Sequence, residues 1–223
     1  AGVVGGVAVS PQDIVGRDGA TGAWRMVFDG SDVGVNRPIS AFARLAGGDL
    51  LLAFKSNQIT PAGTFTPWDV ARFAPVALGS QTTGSFAWYV DGSDVGLTTS
   101  GEKIDALDAL PGGRLLVSTA GTAAVPRGGG SLRAQDEDLL AFMPGAFGAQ
   151  TSGAWSLAFD GTAIPGLSGE DVVAADMDPI TGDLYVAIAG SFTVDGVRGN
   201  GKDILKLSPA GAASWRRRAG TGQ

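Results

Sequence analysis

The chain has 223 residues, 44% of them apolar and 17% charged, with 36 Gly, 11 Pro and neither Cys nor His. That length and apolar content suffice for a packed core, while the missing Cys removes disulfides and thiolate chemistry and the missing His removes Ser-His-Asp catalysis and the usual zinc site. Sixteen basic against 22 acidic residues, a net charge of −6, argue against nucleic acid as a partner, and no stretch reaches the roughly 20 apolar residues of a membrane-spanning helix.

The first predicted elements lie in GVAVSPQDIVGRDGATGAWRMVFDG, residues 5–30 without the first Gly, which holds three strand signals. A motif then recurs along the chain: TGAWRMVFDGSDVG (21–34), TGSFAWYVDGSDVG (83–96), SGAWSLAFDGTAIPG (152–166) and a degenerate AASWRRRAGTG (212–222). Its aromatic anchors are Trp24, Phe86, Trp155 and Trp215. Upstream of each stands a short apolar strand opened by an aspartate, at Asp13, Asp69, Asp138 and Asp203, and closed in three copies by Pro75, Pro144 or Pro209. Downstream of each full copy comes a hairpin with a Gly-containing turn: residues 39–54, 104–119 and 172–188.

Each period of roughly 60 residues thus holds four strand signals, which we label a to d from first to last. Four-stranded units at this period predict an all-β chain, a β-propeller of about four four-stranded antiparallel blades in one domain over 1–223. The blades span about 1–30, 39–92, 104–161 and 172–220. The first is incomplete: it reads as b, c and d without a. The ring is then either a small one or part of a longer one, its missing strand supplied by sequence after Gln223. A start at Ala1 rather than Met fits a processed product.

The b–c connections, 55–68, 120–137 and 189–202, are long, polar and unlike one another. Together with the DGSD turns they are predicted to emerge on one end of the scaffold, opposite the tight a–b turns and the c–d links. Long unlike loops on a rigid frame are where binding sits. Phe65, Trp68 and Phe192 are the unrepeated aromatics there, and are expected to contact a protein or glycan partner.

Two acidic patterns invite chemistry. Asp29, Asp32, Asp91 and Asp94 in the DGSD loops read first as turn residues and second as calcium ligands. No cofactor is expected otherwise. Glu102 and Glu170 precede inner strands, with Asp108 and Asp176 within them. They read first as channel or turn residues and second as the acid pair of a polysaccharide hydrolase. Asp105 and Asp178 accompany them. The four repeated aspartates read as structural acceptors of backbone N–H bonds, because a single active site does not need four equal copies.

The repeated W-x-x-x-F-D-G-S-D-V-G-L pattern and the D-A-L-D-x-L-P-x-G-x-L-L-x-S-T-x-G hairpin resemble repeats of secreted or surface-exposed bacterial β-propeller proteins, from Asp13 to Trp215. The resemblance implies a propeller placed extracellularly, at the cell surface or in the periplasm. The resemblance is silent on activity; symmetric repeats with neither His nor Cys favour a non-enzymatic binding or scaffold module, with the hydrolase as the alternative.

Overall fold

The computed structural model describes residues 1–209 and the backbone of the strand 213–216. The remainder of the last repeat, including Arg217 and Arg218, lies outside the described residues. The described chain is all-β, with short 3-10 turns and no α-helix.

The chain opens with a hairpin, β1 (Gly2–Val4) on β2 (Val7–Val9), then a second pair, β3 (Ile14–Arg17) on β4 (Trp24–Phe28). The first complete unit follows. It contains β5 (Ile39–Arg44), β6 (Leu50–Phe54), a hairpin of β7 (Gln58–Thr60) and β8 (Gly63–Phe65), then β9 (Val70–Ala77) and β10 (Thr83–Val90). The next contains β11 (Ile104–Ala109), β12 (Leu115–Thr119), the hairpin β13 (Ala123–Arg127) and β14 (Gly130–Ala134), then β15 (Leu139–Ala146) and β16 (Ser152–Phe159). The last contains β17 (Val172–Met177), β18 (Leu184–Ile188), the hairpin β19 (Ser191–Val194) and β20 (Val197–Asn200), then β21 (Ile204–Leu207) and β22 (Ala213–Arg216). In each, the four main strands form one antiparallel sheet: β5-β6-β9-β10, β11-β12-β15-β16 and β17-β18-β21-β22.

Two readings of the sequence are corrected here. GVAV is not strand b of a first unit, because Val7–Val9 pairs with Gly2–Val4 as a separate hairpin. The first repeat therefore has c and d and lacks both a and b among the described residues. The b–c connections are likewise not open loops, since each is a hairpin of its own. The β7–β8 hairpin turns through Pro61 and Ala62. The other two, like the opening β1–β2 hairpin, close on a two-residue turn in which both central residues hold positive φ: Gly128 and Gly129 (46° and 90°), Asp195 and Gly196 (47° and 77°), and in the opening hairpin Gly5 and Gly6 (53° and 85°). That geometry matches the twist of the flanking strands.

The strand b of each complete unit is buried along its length or nearly so, as Leu50–Phe54 and Leu115–Thr119 show. Such strands read as continuous apolar runs because both faces meet neighbours. The inner strands of successive units lie side by side, β5 on β11 and β11 on β17. Ala41, Ala43, Leu51, Leu107 and Val117 share one buried cluster across the first such junction, and Leu116, Val172, Leu184 and Val186 share another across the second.

The repeated aspartates fasten the units, as their recurrence predicts. Each accepts the backbone N–H three residues upstream: Asp13 from Ser10 at 2.7 Å, Asp69 from Thr66 at 2.6 Å, Asp138 from Gln135 at 2.8 Å and Asp203 from Asn200 at 2.9 Å. The second oxygen of three of them takes the N–H of the Gly in the next DG turn: Gly30 at 3.0 Å, Gly92 at 2.9 Å and Gly161 at 2.8 Å. Only glycine fits there. A Cβ on Gly92 would stand 2.1 Å from the Trp68 carbonyl oxygen, and one on Gly161 2.2 Å from that of Glu137. The same turn reaches forward as well, since the Pro11, Pro67 and Asp136 carbonyls accept from Ile39, Ile104 and Val172 at the start of the next inner strand.

A second fastening runs from the c–d link of one repeat to the DGSD turn of the preceding one. Thr82 Oγ1 accepts from Asp29 N, donates to Gly79 O, and its own N–H goes to Asp32; Thr151 repeats all three bonds with Asp91, Gly148 and Asp94. The c–d links therefore meet the DGSD turns instead of lying at the opposite end, which corrects the expected division of loops between the two ends.

Candidate functional site

One cleft of about 830 Å³ lies where the inner strands converge. It is bounded by β5, β11, β17 and β18, with Asp13 and Ile14 of the first repeat on one side and Ile204 on another. A bulge interrupts each inner strand at the same place, between Ile39 and Ala41, Ile104 and Ala106, and Val172 and Ala174. Each bulge adds one unpaired residue to its strand, and Asp105 and Asp108 both line the cleft.

The bulged residues are Ser40, Asp105 and Val173, which occupy one position in three repeats and share no chemistry. Ser40 Oγ and Asp105 Oδ1 are buried without a protein partner, as is Asp171 Oδ1 beside Asp105. Each such atom costs on the order of 1–3 kcal/mol when it leaves water unpaired. Asp105 and Asp171, 66 residues apart in sequence, act on each other electrostatically across the cleft edge. Burial first, and then the charge of Asp171, push the Asp105 carboxyl up to about 8; burial and the charge of Asp136 also raise Asp171.

That shift sets a pH dependence. The folded Asp105 keeps a proton that the unfolded chain releases near pH ~4, so the fold loses stability as pH rises from there to about 8 and loses no more beyond it. Thermal melts between pH 5 and 9 should show a melting temperature that falls with pH, and Asp105→Asn should flatten most of the fall. An equal slope in the variant would contradict the assignment to this pair.

The acids proposed from sequence scatter. Glu102 is 3% exposed and spends both oxygens on backbone: Thr98 and Thr99 N–H at 2.8 and 2.7 Å, and Ala124 N–H at 3.1 Å. Burial opposes its ionisation, but these bonds outweigh it and hold the carboxyl below its ordinary value. In the preceding repeat Gln58 performs the same capping on Asn36 and Arg37, both at 3.0 Å. Glu170 is not among the residues lining the cleft. Asp108 lines it, with one oxygen on Ala109 N at 2.7 Å and the other on Met177 N at 3.0 Å, a brace between β11 and β17. Asp176 is exposed overall, and desolvation at the cleft wall with the charges of Asp108 and Asp178 raises its carboxyl. So of Glu102, Glu170, Asp108 and Asp176, the structure brings only the last two together in the cleft. Asp178 instead closes the β17–β18 turn, accepting from Ile180 and Thr181 N–H at 2.8 and 3.2 Å.

The DGSD aspartates are turn residues. Asp29 and Asp91 each accept the N–H and hydroxyl of the serine two positions on, with hydroxyl distances of 2.6 Å. Asp32 and Asp94 hold the threonines of the following repeat. Among the described residues no group of three or more Asp, Glu, His or Cys is placed to hold a metal ion.

The aromatics expected to be exposed are not. Phe65 is 0% exposed and packs on Trp88 with ring centroids 4.5 Å apart; Phe192 is 4% exposed and lies against Gly199, where a Cβ would fall 2.3 Å from its ring. Trp68 is half-buried and packs against the core. The hairpins explain this: strand alternation points one side of each inward, where it covers its own repeat's outer strand. Trp88 Nε1 on β10 accordingly donates to Ala62 O in the β7–β8 turn at 3.1 Å.

No protein-family model and no curated protein matches the chain. Two solved structures are similar to it at a distance. A protein of unknown function from Bacteroides caccae is 13% identical with a TM-score of 0.33, over 95% of this chain and 60% of that one. The extracellular domain described as that of the hybrid two-component system BT4673 of B. thetaiotaomicron is 12% identical with a TM-score of 0.28, over 96% of this chain and 33% of that one. This chain thus spans less than two thirds of either. Among the described residues no helix is long and apolar enough to cross a membrane.

Proposed function

We propose that this chain is a non-enzymatic binding module acting outside the cytoplasm, built as a β-propeller whose partner, a polypeptide or a glycan, seats in the cleft framed by the inner strands. The propeller reading is supported by the way the units meet. β5, β11 and β17 adjoin one another, whereas the outer strands β10 and β16 make no comparable contact. Sheets that touch at their inner edges and part at their outer ones radiate from an axis.

One observation carries the cleft as the working site. Residues that repeat in this chain, the aspartates, DG turns and anchors, are used up in fastening. At the bulge the repeats diverge, and two of the three residues there leave a buried polar atom unpartnered, Ser40 Oγ and Asp105 Oδ1. A site that serves a ligand is where repeats have reason to differ. The hydrolase alternative rests on Asp108 and Asp176 alone, and both oxygens of Asp108 are engaged by backbone.

The test is retention on a glycan array and a peptide array, read for wild type, Ala174→Trp in the cleft wall and Ile59→Trp on the outside of the β7–β8 hairpin. Ala174→Trp should weaken the strongest binder at least about tenfold while Ile59→Trp leaves it. Loss confined to Ile59→Trp, or retention of nothing by the wild type, would overturn the reading.

A further inference from the structure

In the three complete units the inner edge of strand c is paired. β9 takes β6, β15 takes β12 and β21 takes β18, each over three residue pairs. In the first repeat the equivalent strand is β3, and no strand among the described residues pairs with its inner edge; β3 has β4 alone. That edge borders the cleft through Asp13 and Ile14.

A second mark of the same gap lies on β5. Leu107 on β11 is 3% exposed, in the buried cluster with Ala43 and Leu51 of the preceding unit. The next counterpart, Ala175 on β17, packs against the cluster holding Leu116 of its own preceding unit. This position rests on strands a and b of the repeat before it. On β5 it is Phe42, which is 49% exposed and lines the cleft. Among the described residues the first repeat supplies no a or b strand to receive Phe42, and it stands bare. An unpaired edge, a bare aromatic and a cleft between them coincide.

Resting on the reading of the cleft as the working site, we propose that it captures a polypeptide partner by strand addition. A two-stranded apolar hairpin of the a–b type lays its second strand along Ile14–Gly16 and its first against Phe42. The chain itself displays what fits such an edge, since the same junction is filled three times by residues 39–54, 104–119 and 172–188. By the register of β12 on β15, where Leu116 faces Ala141 and Val117 faces Leu140, the partner's matching residues would face Gly16 and Val15. Main-chain bonds supply the affinity in this mode and alternate side chains the selection. Those side chains are apolar toward Phe42 and Ile14.

The experiment uses the purified chain and a labelled synthetic peptide of residues 104–119, IDALDALPGGRLLVST, followed by fluorescence anisotropy and by amide exchange. Three results are expected together. The peptide binds; a scrambled peptide of the same composition binds at least tenfold more weakly; and exchange slows within Ile14–Gly16. Phe42→Asp, at an already exposed position, weakens binding at least tenfold, while Ile59→Asp on the far side of a hairpin does not. Failure to bind, equal binding of the scrambled peptide, or binding that Phe42→Asp leaves intact would each overturn strand addition. If array ligands still depend on Ala174 after such a result, strand addition has failed and the cleft has not.

Discussion

Replacing Trp155 by Ala should remove about 3–5 kcal/mol of stability, the range for emptying a buried large aromatic site. Trp155 is 5% exposed and packs on Phe142 with centroids 4.7 Å apart. Its indole N–H donates to Val95 O at 2.9 Å, across a repeat junction, so the truncation also strands a carbonyl. Trp155→Phe keeps most of the packing and loses the bond, and should cost roughly 1–3 kcal/mol. Phe86, at the same place one repeat earlier, is half-buried, and Phe86→Ala should cost less than Trp155→Ala. Urea denaturation at constant m-value checks the order. A loss below about 1 kcal/mol for Trp155→Ala would place the ring outside the junction.

Asp69→Ala should cost a comparable amount, roughly 3 kcal/mol or more. The carboxylate is 2% exposed and receives Thr66 N–H at 2.6 Å, Thr66 Oγ at 2.7 Å and Gly92 N–H at 2.9 Å. Burial raises its pKa against the pull of these three bonds, so the group already bears a desolvation cost that only its donors offset. Without it, the turn at 66–69 loses its closure and Gly92 its anchor. Asp69→Asn keeps one acceptor oxygen and should recover part of the loss. Asp203→Ala, at the exposed Asn200 turn, should cost less than half as much. Equal losses at the two sites would show that the second bond, to the DG glycine, adds nothing.

These two residues also show what was legible in the sequence. Trp155 and Asp69 recur at a fixed period, and recurrence marked them as frame. The strands followed from the same period, because each copy carries an apolar run bounded by turn residues. Two of the three inserted hairpins had a signal too, RGGG and VDGV, as did the opening hairpin with VGGV, each a two-residue turn between strand residues. Because the flanks differ among copies, the segments looked like unlike loops. A loop reading places Phe65 and Phe192 at the surface, whereas strand alternation turns them inward. The threonine fastening shows in the sequence as GSQT and GAQT, a match of two c–d links whose bonding partners in the DGSD turns lie 50 or more residues away.

The cleft was less accessible. That Asp105 meets Asp171, or that Phe42 is bare where Leu107 is covered, depends on which units adjoin, and no local pattern encodes that. Glu102 illustrates the converse. Its match with Glu170 in GEKI and GEDV suggested a pair, but a neighbouring hairpin places Ala124 N–H on Glu102 and fixes it as a cap.

The radial arrangement of the units can be measured in solution. The chain has no cysteine, so introduced pairs carry spin labels without competition. Ala46 and Pro111 occupy the same exposed position in the a–b turns of adjacent units, and Ser85 and Ala154 the same exposed position on their outer strands. Dipolar spectroscopy should give a shorter distance for the Ala46→Cys/Pro111→Cys pair than for the Ser85→Cys/Ala154→Cys pair, as sheets diverging from a central cleft require. Equal distances, the mark of sheets stacked in parallel, would contradict it.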